Sequence, residues 1–276
     1  HKSGRQEVKL TDWRHCMGAS CFLTKGPRQY MEDEFFISED GSFFAVYDGH
    51  GGAAVSAYLR EYVYGTFQEE LESQLSFLGI KSFGRDIESA LRNTFRKIQA
   101  TIIHQPELDN IGSTAVAVVL ADKYIWTLNV GDSRAVLCRN GVAVDLSRDH
   151  KPNDIKERER IEALGGEVKW YGWRDENGDP VPNMGAWRIN GNLALSRSMG
   201  DHAENPYVTA EADIVKVQRS PIEDQFIVLA SDGLWDVMDS QEVVDFCKSV
   251  MVGVGGNNLD ESDDMAPINN KNADGH

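Results

Sequence analysis

Residues 43–52 read FFAVYDGHGG. The apolar, aromatic start has the character of a buried strand over 42–47, and it stops at an acid, Asp48. A glycine, a histidine and two more glycines follow. The next stretch carries Val55, Tyr58, Leu59, Tyr62, Val63 and Phe67 near helical spacing, which predicts a one-sided helix. One Asp-Gly pair is ordinary hairpin punctuation. Asp-Gly-His-Gly-Gly between a buried strand and a helix asks for more. A carboxylate at a strand lip is rigidly placed, and glycines beside it let a backbone carbonyl or a water come close.

Working outward, Ile87, Leu91, Phe95, Ile98 and Ile102 predict a second amphipathic helix. Residues 113–146 are apolar, β-branched runs broken by Ala121-Asp122-Lys123 and Arg139-Asn140-Gly141, a pattern of antiparallel hairpins. A charged helix is predicted over 154–164, closed by Gly165-Gly166. The span 170–187, WYGWRDENGDPVPNMGAW, is rich in Gly, Pro and Trp and shows no period. It reads as an irregular surface excursion, a candidate substrate-facing flap. DQFIVLAS (224–231) is another buried strand ending in Asp232-Gly233, and a helix opened by Ser240 follows. After Met251 the composition turns to Gly, Asn, Asp and Ser, expected to be disordered or part of an insertion. There are no internal repeats. Strands with flanking helices but no regular β-α-β alternation predict an antiparallel α/β (α+β) sandwich rather than a Rossmann fold. Neither a GxGxxG after a strand nor a GxxxxGK[ST] occurs.

Composition narrows the function. The 276 residues hold 44 acidic against 28 basic side chains, a net charge of −16, which argues against a nucleic-acid binder. The surplus acid is either solvated surface or, in part, a convergence on a divalent cation. No run of about 18 apolar residues exists to span a membrane. Cys16, Cys21, Cys138 and Cys247 have no C-x-x-C spacing, which predicts free thiols in a reduced, intracellular setting and no structural zinc. The first residue is His1 rather than Met, consistent with a fragment, so any targeting peptide would lie outside the sequence.

Three acids at strand ends stand out: Asp48 in VYDGHGG, Asp132 in NVGDSRA and Asp232 in LASDGLWD, with Glu32-Asp33 before a further apolar run. Carboxylates, a carbonyl and waters are the oxygen ligands that hard divalent cations prefer.

With these residues in order, the chain resembles the metal-dependent Ser/Thr protein phosphatases of the type 2C (PPM) family. The resemblance is carried by RQYMED (28–33), VYDGHGG (46–52), GSTA (112–115), NVGDSRAVL (129–137), DHKP (149–152), ERIEALGGEV (159–168), NGNLALSRSMGD (190–201), PYVTAEADI (206–214) and LASDGLWDVM (229–238). It implies a four-layer α-β-β-α sandwich of two antiparallel sheets flanked by helices, missing its last strands. The catalytic domain would cover 16–250, with an N-terminal extension over 1–15, a flap at about 170–187 and an acidic tail or truncated insertion over 251–276. It also implies a monomeric hydrolase of phosphorylated proteins that uses two Mg²⁺ or Mn²⁺ ions and a third, weaker one.

By the same resemblance, Asp48 would bridge two metals, with the Gly49 carbonyl completing one shell. Asp232 would bind the second ion, Glu32 would act through metal-bound water, and Asp132 would share the third ion with Asp232. Asp33 would orient the attacking water. Arg28 would grip the phosphate, or else sit in a surface ion pair. His50 would give a proton to the leaving seryl or threonyl oxygen, or else cap the next helix. His150 is expected to hold its loop, and Trp170, Trp173 and Trp187 either shape the flap or pack it. The family has a further Asp-Asn pair on a late strand that this chain lacks. Its tail acids Asp260, Asp263, Asp264 and Asp274 stand on no apolar strand. A catalytically impaired pseudophosphatase that binds phosphoproteins is therefore the alternative. A calcium-binding module has little behind it, since no D-x-D-x-D-G loop occurs.

Overall fold

The computed structural model describes residues 5–8, 18–78, 83–121 and 123–255. Cys16, most of the N-terminal extension and the tail acids Asp260, Asp263, Asp264 and Asp274 lie outside them. β1 (Arg5–Val8) pairs antiparallel with β2 (Ala19–Phe22) as a separate ribbon. β3 (Glu34–Ile37) and β4 (Phe43–Tyr47) form a hairpin. Its turn is fixed by Asp40, which accepts from Ser38 Oγ at 2.6 Å and from the Ser42 amide at 3.0 Å. β5 (Gly49–His50) leads to helices α1 (Ala54–Leu78) and α2 (Phe83–Ile102). Then come β6 (Gly112–Ser113), β7 (Ala115–Ala121), β8 (Tyr124–Val130), β9 (Arg134–Arg139) and β10 (Val142–Asp145). They are followed by α3 (Ile155–Ala163), β11 (Val168–Arg174), β12 (Pro180–Ile189), β13 (Met199–Gly200), β14 (Asp213–Gln218), β15 (Asp224–Ala230), α4 (Asp232–Trp235) and α5 (Ser240–Gly255).

Among the described residues, five strands join in the order β14-β8-β7-β4-β3 and three in the order β10-β9-β15, all antiparallel. Side-chain alternation along single strands builds the layers. On β7, Ala115, Ala117 and Val119 join Leu59, Val63, Leu91 and Phe95 of α1 and α2. The intervening Val116 and Val118 meet Ala135 and Leu137 of β9 in the core between the sheets. On β9 the remaining pair, Val136 and Cys138, packs under Val243 and Val244 of α5. Both sheets are thus covered on two faces, which is why their strands read as unbroken apolar runs rather than alternating ones. The expected α-β-β-α sandwich is what forms.

Local departures have physical causes. The span 170–187 is paired rather than a free loop: β11 and β12 form an antiparallel hairpin with Trp170 opposite Trp187 and Gly172 opposite Gly185, and the register shifts between Gly172 and Arg174. A Cβ on Gly172 would lie 2.4 Å from the Gly185 Cα, so these glycines serve close strand approach rather than a loop. Pro180 sits at the first position of its strand, where its missing N–H is tolerated. The true turn is at Asp175, whose side chain accepts from the amides of Asn177 at 2.9 Å and Asp179 at 2.8 Å. The cap of α5 is Asp239 rather than Ser240. Asp239 accepts from the Glu242 amide and Glu242 accepts from the Asp239 amide, each at 2.8 Å, a capping box. This helix runs through Gly255, past the compositional break at Met251. Cys138 is a buried free thiol and Cys247 a partly buried one.

Candidate active site

β4 delivers its last residue, Tyr47, fully buried, and Asp48 follows at the rim. The Asp48 amide donates to Thr114 Oγ1 at 3.1 Å, and its carbonyl accepts from the Thr114 amide at 2.9 Å. Thr114 Oγ1 also pairs with Ser133 Oγ at 2.6 Å, so the Asp48 backbone is tied to the β8–β9 turn that carries Asp132. Gly49 donates its amide to the Glu32 carbonyl at 3.2 Å, and Ser56 Oγ donates to the same oxygen at 2.5 Å. A Cβ on Gly49 would stand 2.4 Å from that carbonyl, so the close approach of residue 32 requires glycine here.

Four acids meet at this rim. Asp48 hydrogen-bonds Asp33 and feels Asp33, Asp232 and Asp132; burial first, then these neighbours, pushes its carboxyl up to about 9. Ser231 Oγ donates to Asp33 Oδ2 at 3.3 Å. Asp132 is also raised, mainly by burial, with Asp232 adding and Lys151 opposing. Lys151 extends its ammonium to 2.6 Å from Asp132, 3.9 Å from Asp232 and 3.8 Å from Asp236. Burial alone would lower the Lys151 ammonium, but Asp132, Asp236 and Asp232 outweigh it and hold it above its ordinary value. As arranged, among the described residues, no three His, Cys, Asp or Glu side chains converge closely enough to hold an ion. The donor set still fits a hard divalent cation, because Asp33, Asp48, Asp132 and Asp232 offer carboxylate oxygens, the ligands such a cation prefers.

The other expected residues divide. His50 Nε2 lies 2.6 Å from Asp201 Oδ2. His150 holds its loop: fully buried, it accepts the Gly131 amide on Nδ1 at 3.0 Å and puts Nε2 3.1 Å from Asp213. That clamp fixes Gly131, at φ 104, and so sets the direction of Asp132. Glu32 enters through its backbone carbonyl. Arg28 is exposed in a turn where its amide donates to the Lys25 carbonyl at 3.1 Å, and no described contact brings its guanidinium to the acids. Trp170 and Trp187 pack edge to face at 5.9 Å, whereas Trp173 is 72% exposed. Sequence reasoning missed Lys151, Asp236 and Asp201. The i, i+4 spacing of Asp232 and Asp236 was the available signal for one of them.

An α-β-β-α sandwich with a carboxylate rim fed by both sheets defines the architectural class of the chain. Within it, the chain belongs to the protein phosphatase 2C family, whose profile matches residues 3–261. Probable protein phosphatase 2C 8 of Oryza sativa subsp. japonica is 34% identical over 92% of this chain and 68% of its own length. Protein phosphatase 2C 77 of Arabidopsis thaliana is 40% identical over 75% of this chain but only 46% of its own length. A solved sex-determining protein of C. elegans matches with TM-score 0.70 and 27% identity, over 82% of this chain and 54% of that one. A serine-threonine phosphatase 2C of Toxoplasma gondii shares the fold with TM-score 0.72 at 20% identity, over 92% of this chain and 89% of that one. Metal-dependent dephosphorylation of serine and threonine is the general function of the family. No helix among the described residues is long and apolar enough to cross a membrane.

Proposed function

We propose that this chain hydrolyses phosphoserine and phosphothreonine in proteins with the help of Mg²⁺ or Mn²⁺, acting as a monomer on phosphoprotein substrates. One observation carries the reading: Asp48 is buried beside Asp33, Asp232 and Asp132, and burial first, then these neighbours, pushes its carboxyl up to about 9, a cluster of acid that a divalent pair would neutralise. Asp48 and the Gly49 carbonyl would hold one cation, Asp48 and Asp232 the second, with Glu32 through water and Asp132 at a weaker third position. When bound, such cations supply Lewis-acid activation of water and offset charge on the phosphoryl oxygens.

The chain's own groups do the rest. Asp33, braced by Ser231, accepts a hydrogen bond from the attacking water and aims it at phosphorus. The water oxygen forms the new P–O bond as the ester P–O bond breaks in line. His50 gives the departing seryl or threonyl oxygen its proton. Arg28, on an exposed turn, reaches the substrate phosphate with its planar fork. Lys151 favours the alternative, a pseudophosphatase: its ammonium already sits against Asp132, where a cation would go.

Hydrolysis of a phosphothreonine peptide during Mn²⁺ and Mg²⁺ titration, with Asp48→Asn alongside, separates the two. The proposal expects metal-dependent turnover that Asp48→Asn lowers at least about 100-fold, the scale of losing a main electrostatic group. Metal-independent turnover, or none at any metal concentration, overturns it, the latter in favour of a binding role.

A further inference from the structure

Asp201 closes the NGNLALSRSMGD stretch and takes no part in the chemistry above, yet it is 3% exposed. Its backbone sits at φ 46 and ψ 41, the left-handed region, which costs an L-residue energy that glycine would avoid. The side chain therefore has a use, and its contacts identify it. Oδ2 lies 2.6 Å from His50 Nε2 and accepts from Ser198 Oγ at 2.5 Å. His50 is partly open at the rim while the acid behind it is closed off, with side-chain exposures of 25% and 2%.

Three short strands hold the pair. β5, β6 and β13 lie side by side with His50 opposite Gly112 and Gly112 opposite Gly200. A Cβ on Gly112 would fall 2.0 Å from Asp201 Oδ2 and 2.4 Å from His50 Nε2, so that glycine exists to let the two side chains meet. Gln99 clamps the far strand, accepting the Gly200 amide at 2.9 Å and donating to its carbonyl at 3.3 Å. The Asp201 amide donates to the Ile111 carbonyl at 3.1 Å.

We propose that Asp201 is the positioning residue of His50, an inference that rests on the phosphatase reading above. A carboxylate only accepts hydrogen bonds, so the facing Nε2 carries a proton and keeps it. The ring is held in one orientation, and Nδ1 is the atom left to take up a second proton and pass that one to the leaving oxygen. Asp201 touches neither substrate nor water and acts through the imidazole alone.

The leaving group tests this on the full chain with Mn²⁺. A phosphothreonine peptide leaves as an alkoxide that needs a proton, whereas p-nitrophenyl phosphate leaves as a stable anion that does not. Asp201→Asn and Asp201→Gly, the second suited to the left-handed backbone, should lower peptide turnover at least about tenfold, a part of the usual 10²–10⁴-fold contribution of general acid–base catalysis. Both should change p-nitrophenyl phosphate turnover less than about twofold. Asp201→Gly added to His50→Gln should cost nothing further. In ¹⁵N-histidine NMR at one fixed pH, His50 should carry its proton on Nε2 in the unaltered chain and lose that preference in Asp201→Gly. Equal losses on both substrates, additive losses in the double variant, or a His50 protonated only on Nδ1 would each overturn the proposal. If the unaltered chain hydrolyses neither substrate, the phosphatase reading falls, and the NMR arm decides the pairing by itself.

Discussion

Glu157 is a fully enclosed carboxylate, 1% exposed, on the inner side of α3. Arg197 donates to it from Nε at 3.1 Å, Arg160 from Nη2 at 3.1 Å and Ser196 from Oγ at 3.0 Å. Burial alone would raise its carboxyl, but Arg197, then Arg160 and Ser196, outweigh that and hold it at about 2. Because the folded value lies below the ordinary 4.5, the ionised form stabilises the fold above that pH. The contribution fades as pH falls from about 4.5 towards about 2. Glu157→Gln takes the acid partner from Arg160 and one of two from Arg197, which keeps Asp213, and breaking one side of a buried pair costs about 3–5 kcal/mol. Urea unfolding at pH 7 should show that loss, and the gap between variant and parent should narrow steadily below about pH 4.5. A gap independent of pH would mean that shape rather than charge is lost.

At the scale of elements, legibility in the sequence followed segment length and pattern. The β7–β8 and β9–β10 hairpins were readable because long apolar runs met short turns, and Asn140-Gly141 has positive φ at both residues, as a tight hairpin needs. The strand-end acids were readable because three buried apolar runs each stop at an acid beside a glycine. β5, β6 and β13 were not, since two-residue strands have no period and exist only through their tertiary neighbours. Asp201 stayed hidden for the same reason. The β11–β12 hairpin was misread because composition was weighed over pairing: its glycines face each other across the ladder, a relation no single strand displays. The corrected geometry alters how its role is tested. Trp173 and Met184 are 72% and 52% exposed near its tip, while Val168 and Ile189 anchor its base in a buried cluster. Replacing residues 173–184 by a short Gly-Ser turn spares that base and the Trp170–Trp187 contact. Discrimination among phosphopeptides, read as kcat/KM ratios, should shift at least about fivefold, a change of about 1 kcal/mol in differential binding. Hydrolysis of p-nitrophenyl phosphate should stay within about twofold. Equal loss on both would make the hairpin a structural part rather than a selector.

At the scale of the whole molecule, the acid rim joins the two sheets. Asp48 leaves β4 in the five-stranded sheet, Asp232 follows β15 in the three-stranded one, and Asp132 stands in the β8–β9 turn that links them. Burial first, and then the like charges there, raise the Asp48 carboxyl, and Lys151 reaches in against Asp132. A divalent cation bound by both sheets would replace that repulsion with attraction, and it would bind only the folded chain, because the unfolded one scatters the acids. Linkage then makes metal a stabiliser of the entire sandwich, worth about 2.7 kcal/mol at 100 times the dissociation constant. Calorimetry should show the melting temperature rising with the logarithm of Mn²⁺ or Mg²⁺ concentration and returning when EDTA is added. The net charge of −16 gives any salt some general screening effect, so Na⁺ at matched ionic strength sets the baseline. Asp48→Asn should begin more stable than the parent without metal, being spared the cost of protonating a buried carboxyl, and should respond to Mn²⁺ no more than to Na⁺. A parent chain that melts at one temperature across the whole metal range would mean that Lys151 already satisfies the rim and that no cation joins the sheets.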